Sequence, residues 1–176
     1  MLISVNEAQK IYPDATVETC KGLELMVRKV TNNNFQRVTF RGTGLTLVGG
    51  EVRFTEGRTD IFRAGDRVEI NGTDFNDGLY TVSEVADGIL RLDRGIIQEV
   101  ANEGVLTKIE YPEDVLTGVK KLLAYDAKMS DKIGVKSETV ARWSVTYYDV
   151  TSSESEEGYP SVLLGFLKKY RKIRWS

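Results

Sequence analysis

The sequence predicts an α+β fold in which a small helical frame is interrupted by an inserted all-β module. Near both ends of the 176-residue chain, apolar residues recur every three or four positions, as in amphipathic helices. Between them, apolar and polar residues alternate among repeated glycine-containing turn signals. We therefore assign residues 1–37 and 111–176 to the frame, with about four helices and a β hairpin. Residues 38–110 form the inserted barrel-like module.

Two short helices are expected at the start of the chain. Ser4 and Glu7 have the spacing of a capping box, in which each side chain satisfies a free amide at the first turn. Pro13 ends this helix, because proline cannot continue the hydrogen-bond ladder. A second helix follows, with one buried stripe made by Val17, Cys20, Leu23, Val27 and Val30.

The period changes to that of strands from about Val38. Val68 and Ile70 alternate with charged residues, and turn pairs such as Asn71-Gly72 and Asp87-Gly88 separate the strands. These signals predict five to seven short strands in about 70 residues. Closure into a small barrel is the expected way for so small a sheet to remove its exposed edges.

The last third of the chain predicts a helix, a hairpin and a final helix. Pro112 suits a helix start, and the inward face of that helix is Val115, Val119, Leu122 and Leu123. Residues 135–150 indicate a hairpin or long strand, and Tyr159-Pro160 opens the final helix. Because each helix is short, the frame is expected to be marginal as a monomer, which favours oligomerisation.

Composition excludes several function classes. The chain has no histidine and only Cys20, which removes His-dependent catalysis, disulfides and cysteine-based zinc sites. Asp74 to Gly78 departs from the calcium-loop pattern, because its glycine comes one position early and residue 85 is valine. No apolar run approaches the roughly 20 residues of a membrane span. We expect no enzyme activity, no cofactor, no metal and no membrane contact.

The C-terminal end is strongly basic although the whole chain carries a net charge of −2. Its cationic residues, followed by one tryptophan near the tip, are Lys168, Lys169, Arg171, Lys172, Arg174 and Trp175. Arginine and tryptophan are enriched at the centres of protein interfaces, which favours a docking tail for an acidic protein surface. We expect the core helix to end at Leu167 and the tail to begin at Lys168.

The frame resembles the head–tail connector, or adaptor, proteins of long-tailed phages and prophages. The likeness covers residues 1–34 and 111–176 and includes the "SVTY" strand and the later "YP", "L" and "YR" positions. The matching residues are Glu138, Ser144, Val145, Thr146, Tyr147, Tyr159, Pro160, Leu163, Leu164, Leu167, Tyr170, Arg171 and Arg174. The inserted segment 38–110 departs from the family and is similar to small β modules of phage structural proteins.

The resemblance implies a structural protein of the virion neck, assembled in the host cytoplasm. Such connectors form a ring, usually of twelve copies, that joins the capsid portal to the stopper or tail-completion protein. The ring extends the channel through which DNA passes without sequence-specific binding. The C-terminal tail then docks on the portal, and the hairpin lies at the subunit interface or channel, with Trp143, Val145, Tyr147 and Tyr148.

Two other functions remain open at the level of sequence. The basic tail and the strand aromatics are also compatible with a nucleic-acid-binding module, in which the aromatic rings stack on bases. The β insertion is compatible with a glycan-binding module on the virion surface. Both are alternatives to the ring component.

Overall fold

A computed structural model describes residues 2–130, 137–140, 143–146 and 155–173. It confirms the α+β class: those residues contain three α-helices, ten β-strands and a C-terminal 3₁₀ helix. The chain divides into two compact units. One, called the barrel below, is Asn34–Glu110. The other, called the frame, joins Leu2–Asn33 to the chain from Tyr111 onward.

The barrel is a closed antiparallel sheet, as its turn-rich sequence predicts. Its six strands are β1 (Gln36–Val48), β2 (Glu51–Glu56), β3 (Arg67–Asn71), β4 (Gly78–Ala86), β5 (Ile89–Leu92) and β6 (Glu99–Ile109). They are arranged in the order β1-β2-β5-β4-β3-β6, and β6 pairs with β1 to close the sheet. Closure leaves none of these strands as a free edge.

Alternating residues of the six strands point into the barrel and fill its core. Gly49 and Gly50 join β1 to β2 with φ of 59° and 85°, the positive values that a tight type I′ hairpin requires. Phe62, from the segment between β2 and β3, is the largest of the core side chains that are less than 2% exposed. The full set of buried core residues is Leu45, Leu47, Val52, Phe62, Val68, Ile70, Tyr80, Val82, Leu90, Leu92, Ala101 and Leu106.

The frame contains the helices and the shorter strands. Its elements are α1 (Val5–Gln9), α2 (Val17–Thr31), α3 (Glu113–Met129), β7 (Ser137–Val140), β8 (Trp143–Thr146), β9 (Ser155–Glu156), β10 (Tyr159–Pro160) and the 3₁₀ helix (Gly165–Tyr170). The Ser4 half of the predicted capping box of α1 forms, since the Ser4 hydroxyl accepts a hydrogen bond from the amide of Glu7 at 3.3 Å. The Glu7 carboxylate accepts from the Ser4 hydroxyl at 3.0 Å, which is not the bond to the Ser4 amide that the box predicts.

The buried face of α2 differs in part from the predicted apolar stripe. Cys20, Leu23 and Val27 are buried as expected, but Val17 is exposed, so its assignment to the stripe is wrong. Val17 is the first residue of the helix, and the buried residues of α2 begin only at Cys20. The polar residues Glu24, Arg28 and Thr31 complete the buried face.

The prediction of a helix opening at Tyr159-Pro160 is wrong. These two residues form β10, which pairs antiparallel with β9. Glu157 and Gly158 link the two strands with φ of 51° and 83°, the two positive values of a type I′ turn. Helical geometry begins only at Gly165 and is of the 3₁₀ type.

The 3₁₀ helix packs against both α2 and α3. Its Phe166 ring lies over Gly118 in the middle of α3, where a Cβ would come within 2.4 Å of the ring. The absent side chain at position 118 therefore creates the space that Phe166 occupies. Gly22, in the middle of α2, has no atom within 4 Å of the equivalent point.

These two helical glycines provide a matched test of the packing. We predict that Gly22→Ala stabilises the protein by about 1 kcal/mol, because alanine favours the helix. Gly118→Ala has the same helix preference but overpacks Phe166, at a cost of about 1–3 kcal/mol. Urea denaturation of both variants checks this, and equal stabilisation by the two substitutions would show that Phe166 does not pack on α3.

Candidate functional site

The structure places part of the predicted docking tail on the frame. Lys168 and Lys169 lie in the 3₁₀ helix, and Arg171 and Lys172 follow it directly. Arg174 and Trp175 lie outside the described residues. The tail residues that are described can therefore be assessed by their contacts.

One anchor of the C-terminal segment is Asp114 at the start of α3. Its carboxylate accepts a hydrogen bond from the Tyr170 hydroxyl at 2.6 Å and forms an ion pair with Lys169 Nζ at 2.7 Å. The ammonium of Lys169, and then the hydroxyl of Tyr170, hold the pKa of Asp114 below its usual value. Asp114 therefore stays ionised and joins α3 to the 3₁₀ helix.

A second set of contacts anchors the same segment to α2 and β9. The amide of Lys172 donates to the carbonyl of Thr31, the last residue of α2, at 2.8 Å. The Asn33 side chain donates to the carbonyl of Tyr170 at 3.3 Å. Arg171 forms an ion pair with Glu156 at 2.6 Å. The chain is thus fixed to the frame as far as Lys172.

The predicted division between a core helix ending at Leu167 and a separate tail from Lys168 is therefore wrong. The 3₁₀ helix spans that boundary, and Lys169 and Arg171 already have carboxylate partners within the frame. Sequence could count the cations but could not pair them, because their partners lie 15 and 55 residues away. The side chains of Lys168 and Lys172 have no carboxylate partner in the described part of the chain. Ile173 beside them is 77% exposed.

The predicted interface hairpin is described only in part. Trp143 and Val145 lie in β8, which pairs antiparallel with β7. In the register of the two strands, Val145 is the partner of Glu138 and Trp143 is the partner of Val140. Tyr147 and Tyr148 lie outside the described residues. A β hairpin at this point in the chain agrees with the expected element.

Three tyrosine hydroxyls donate to carboxylates of the frame helices, a pattern that sequence reasoning missed. Besides Tyr170, Tyr111 donates to Glu24 of α2 at 3.0 Å and Tyr159 donates to Asp126 of α3 at 2.8 Å. Burial raises the pKa of Asp126, and the Tyr159 hydroxyl partly offsets that rise. The sequence signal for two of the three was the Tyr-Pro pair at residues 111–112 and 159–160, which also occurs at residues 12–13.

The loop between β3 and β4 is held by many hydrogen bonds. Asp77 accepts from the amide and hydroxyl of Thr73, both at 2.8 Å, which lowers its pKa. Asn76 forms a pair of hydrogen bonds with the backbone of Ile97, at 2.7 and 3.0 Å. Glu99 accepts from the amide of Asp74 at 2.6 Å. Within the described residues, no group of three or more acidic or cysteine side chains is arranged to hold a metal.

A groove lies between α3 and the segment that leads into the 3₁₀ helix. Its volume is about 370 Å³. The lining residues are Asp114, Thr117, Gly118, Lys121, Val162, Leu163 and Phe166. The floor is mostly apolar, and Lys121 at its border has no carboxylate partner in the part of the chain that the structure describes.

Comparison with known proteins gives no relative: neither the protein-family models nor the curated proteins include a match to this chain. Among residues 2–130 and 155–173, no helix has both the length and the apolar character needed to cross a membrane.

We predict that Tyr159→Phe destabilises the frame by about 1–3 kcal/mol at neutral pH, because it leaves the partly buried Asp126 carboxylate without its donor. The loss shrinks in acid. The native pKa of Asp126 is raised, so its protonated form is favoured on folding, and the ionised form that needs the donor disappears there. Thermal unfolding across pH measures both effects.

Tyr125→Phe is the matched control for this variant. Its ring lies 6.0 Å from that of Tyr159, and its hydroxyl makes no hydrogen bond in the described part of the chain. We expect little change in stability. Equal losses in the two variants would contradict the role of the Tyr159 hydroxyl.

A second prediction concerns Asp114 and pH. Because its native pKa is lowered, its contribution is present above the usual aspartate pKa and is lost as pH falls through the native value. The amide NMR signals of Tyr170 and Lys172 should therefore shift towards those of a detached segment in acid. In Asp114→Asn most of that pH dependence should be absent.

Asp60→Asn, in the barrel, is the control, since Asp60 also has a lowered pKa through its ion pair with Arg58. It should leave the acid response of Tyr170 and Lys172 unchanged. A wild-type response in the Asp114 variant would disprove the anchor.

Proposed function

We propose that this protein is a ring-forming structural component of a phage neck, between the capsid portal and the tail. The observation that carries the proposal is the division of the chain. The two stretches that resemble connectors, near residues 1–34 and from residue 111, belong to one compact unit, whereas the stretch that departs from the family is a separate closed barrel. A connector with an inserted module would have this organisation.

We also propose that the frame is a small helical bundle. Contacts of the 3₁₀ helix with both α2 and α3 support it, as do the buried apolar residues of both helices. In a ring, the exposed parts of such a frame would gain further burial from neighbouring copies. The ring would extend the DNA channel, with no chemistry of its own and no cofactor.

Fewer residues of the tail are assigned to docking than the sequence predicts. Lys169 and Arg171 hold the frame together, so docking on the portal is assigned to Lys168, Lys172, Arg174 and Trp175. The residues Trp143, Val145, Tyr147 and Tyr148 are proposed to lie at the subunit interface or channel. A stopper or tail-completion protein would bind the opposite side of the ring.

Charge weighs against nucleic-acid binding by the inserted barrel. Residues 34–110 contain nine Lys and Arg but thirteen Asp and Glu. Several of the cations are already neutralised by carboxylates: Arg91 bridges Glu51 and Glu84, and Lys108 pairs with Asp66. Nucleic-acid affinity depends on unpaired cations that release counterions from phosphates. In the tail, Lys169 and Arg171 are likewise paired with Asp114 and Glu156, which weakens the case for nucleic-acid binding there. We therefore favour the structural role.

Electron microscopy of the protein mixed with its portal tests the proposal directly. We expect rings seated under the portal. Particles in which the protein neither forms rings nor attaches to the portal would overturn the neck assignment.

Two charge reversals separate docking from folding. We predict that the double variant Lys168→Glu, Lys172→Glu weakens portal attachment while thermal stability stays near that of the wild type, because neither side chain has a carboxylate partner in the described part of the chain. The matched double variant Lys169→Glu, Arg171→Glu should lower stability, because it places like charges beside Asp114 and Glu156. Portal pull-down and thermal unfolding measure the two effects, and unchanged attachment in the first variant would contradict the docking role.

A further inference from the structure

The barrel carries a rigid apolar projection at the end where the β3–β4 loop lies. Phe75 and Ile97, here called the knob, are 68% and 57% exposed. The paired hydrogen bonds between Asn76 and Ile97 connect the two chain segments, and the Tyr80 hydroxyl donates to the Asn76 carbonyl at 2.9 Å. Because these bonds fix the backbone that carries the knob, little backbone conformational entropy is lost on binding.

The knob has an acidic rim, in which carboxylates outnumber cations although Arg94 also lies there, with its guanidinium 4.2 Å from the centroid of the Tyr80 ring. The carboxylates of this rim, none of which forms a salt bridge in the described part of the chain, are Asp74, Asp77, Glu99 and Glu103. Elsewhere on the barrel, carboxylates such as Glu51 and Asp66 are paired with arginine or lysine. The surface that fits this end of the barrel is therefore a concave apolar site with a cationic border.

The groove of the frame has those properties. It is concave, its floor includes Leu163 and Phe166, and its volume of about 370 Å³ can accommodate a phenyl ring and an isoleucine side chain. Lys121 supplies the cationic border, and Val162 at the rim is 74% exposed. The acidic side chain of the groove, Asp114, is already neutralised by Lys169.

We propose that the knob of one copy of this chain docks in the groove of a second copy. Phe75 and Ile97 would cover the apolar floor, and the acidic rim would meet Lys121. The net charges of the two parts of the chain differ in the same sense. Residues 34–110 have an excess of acidic residues, whereas the remaining residues contain fifteen Lys and Arg against thirteen Asp and Glu.

Such a contact is heterologous, because it joins two different surfaces of the same chain. Each copy then presents one knob and one groove, so copies add head to tail and give a ring when the rotation closes. The inference rests on the proposed ring function and identifies the surfaces by which neighbours join. It also gives the inserted barrel a role.

Two exposed substitutions test the contact with little risk to folding. Phe75→Asp replaces the aromatic ring of the knob with a charge and keeps the groove, and Val162→Asp damages the groove and keeps the knob. The molar mass of each variant, and of their equimolar mixture, is measured by light scattering during size-exclusion chromatography, with circular dichroism to verify the fold. The control is Val38→Asp, which changes an exposed valine of the barrel that is not part of the knob; Val38 is 57% exposed.

The wild type and the Val38 variant should form oligomers, and each of the other two variants alone should be a monomer. Their mixture should form a dimer, because the intact knob of the Val162 variant enters the intact groove of the Phe75 variant. A monomeric wild type, oligomers of wild-type mass from either variant alone, or a mixture without dimers overturns the inference. Rings of the Phe75 variant under the portal would overturn it while leaving the neck function standing.

Discussion

The Asp114 carboxylate, held by Lys169 and the Tyr170 hydroxyl, is the contact on which the organisation of the frame depends. It joins α3 to a 3₁₀ helix too short to be stable without tertiary packing. That helix in turn buries Leu167 and brings the last described residues against the end of α2. The backbone bond from Lys172 to Thr31 connects parts of the chain that are 141 residues apart in sequence. Loss of the Asp114 anchor would therefore remove the side-chain contacts that join α3 to Lys169 and Tyr170.

The inserted barrel satisfies a different constraint. A sheet of short strands has unpaired edges that invite aggregation, and closure through the β1–β6 pair removes them. The barrel also has its own apolar core, centred on residues such as Phe62 and Leu106. It can therefore occupy the middle of the sequence as a self-contained unit. Its acidic surface argues for contacts with protein rather than with nucleic acid.

Much of the fold could be predicted from the sequence because its signals are local. Helix caps, turn glycines and the change of apolar period act over a few residues, and they located α2, α3 and the strands. The final helix was the main error. Tyr159-Pro160 has the sequence of a helix start, but Glu157-Gly158 forms a hairpin turn that places Tyr159 in a strand. The predicted start of the tail at Lys168 was wrong for another reason. A run of cations does not reveal which of them are neutralised by distant carboxylates.

The sequence by itself determined the α+β class and the presence of a small closed β module, because periodicity and turn chemistry depend on neighbouring residues. It also located the basic cluster near the C-terminus. Only the tertiary structure decided that Lys169 and Arg171 of that cluster are paired, because they meet Asp114 and Glu156 through folding alone. The same holds for the knob and the groove. Exposure of Phe75 and the space beside Gly118 are properties of packing, and packing depends on contacts between residues far apart in the chain.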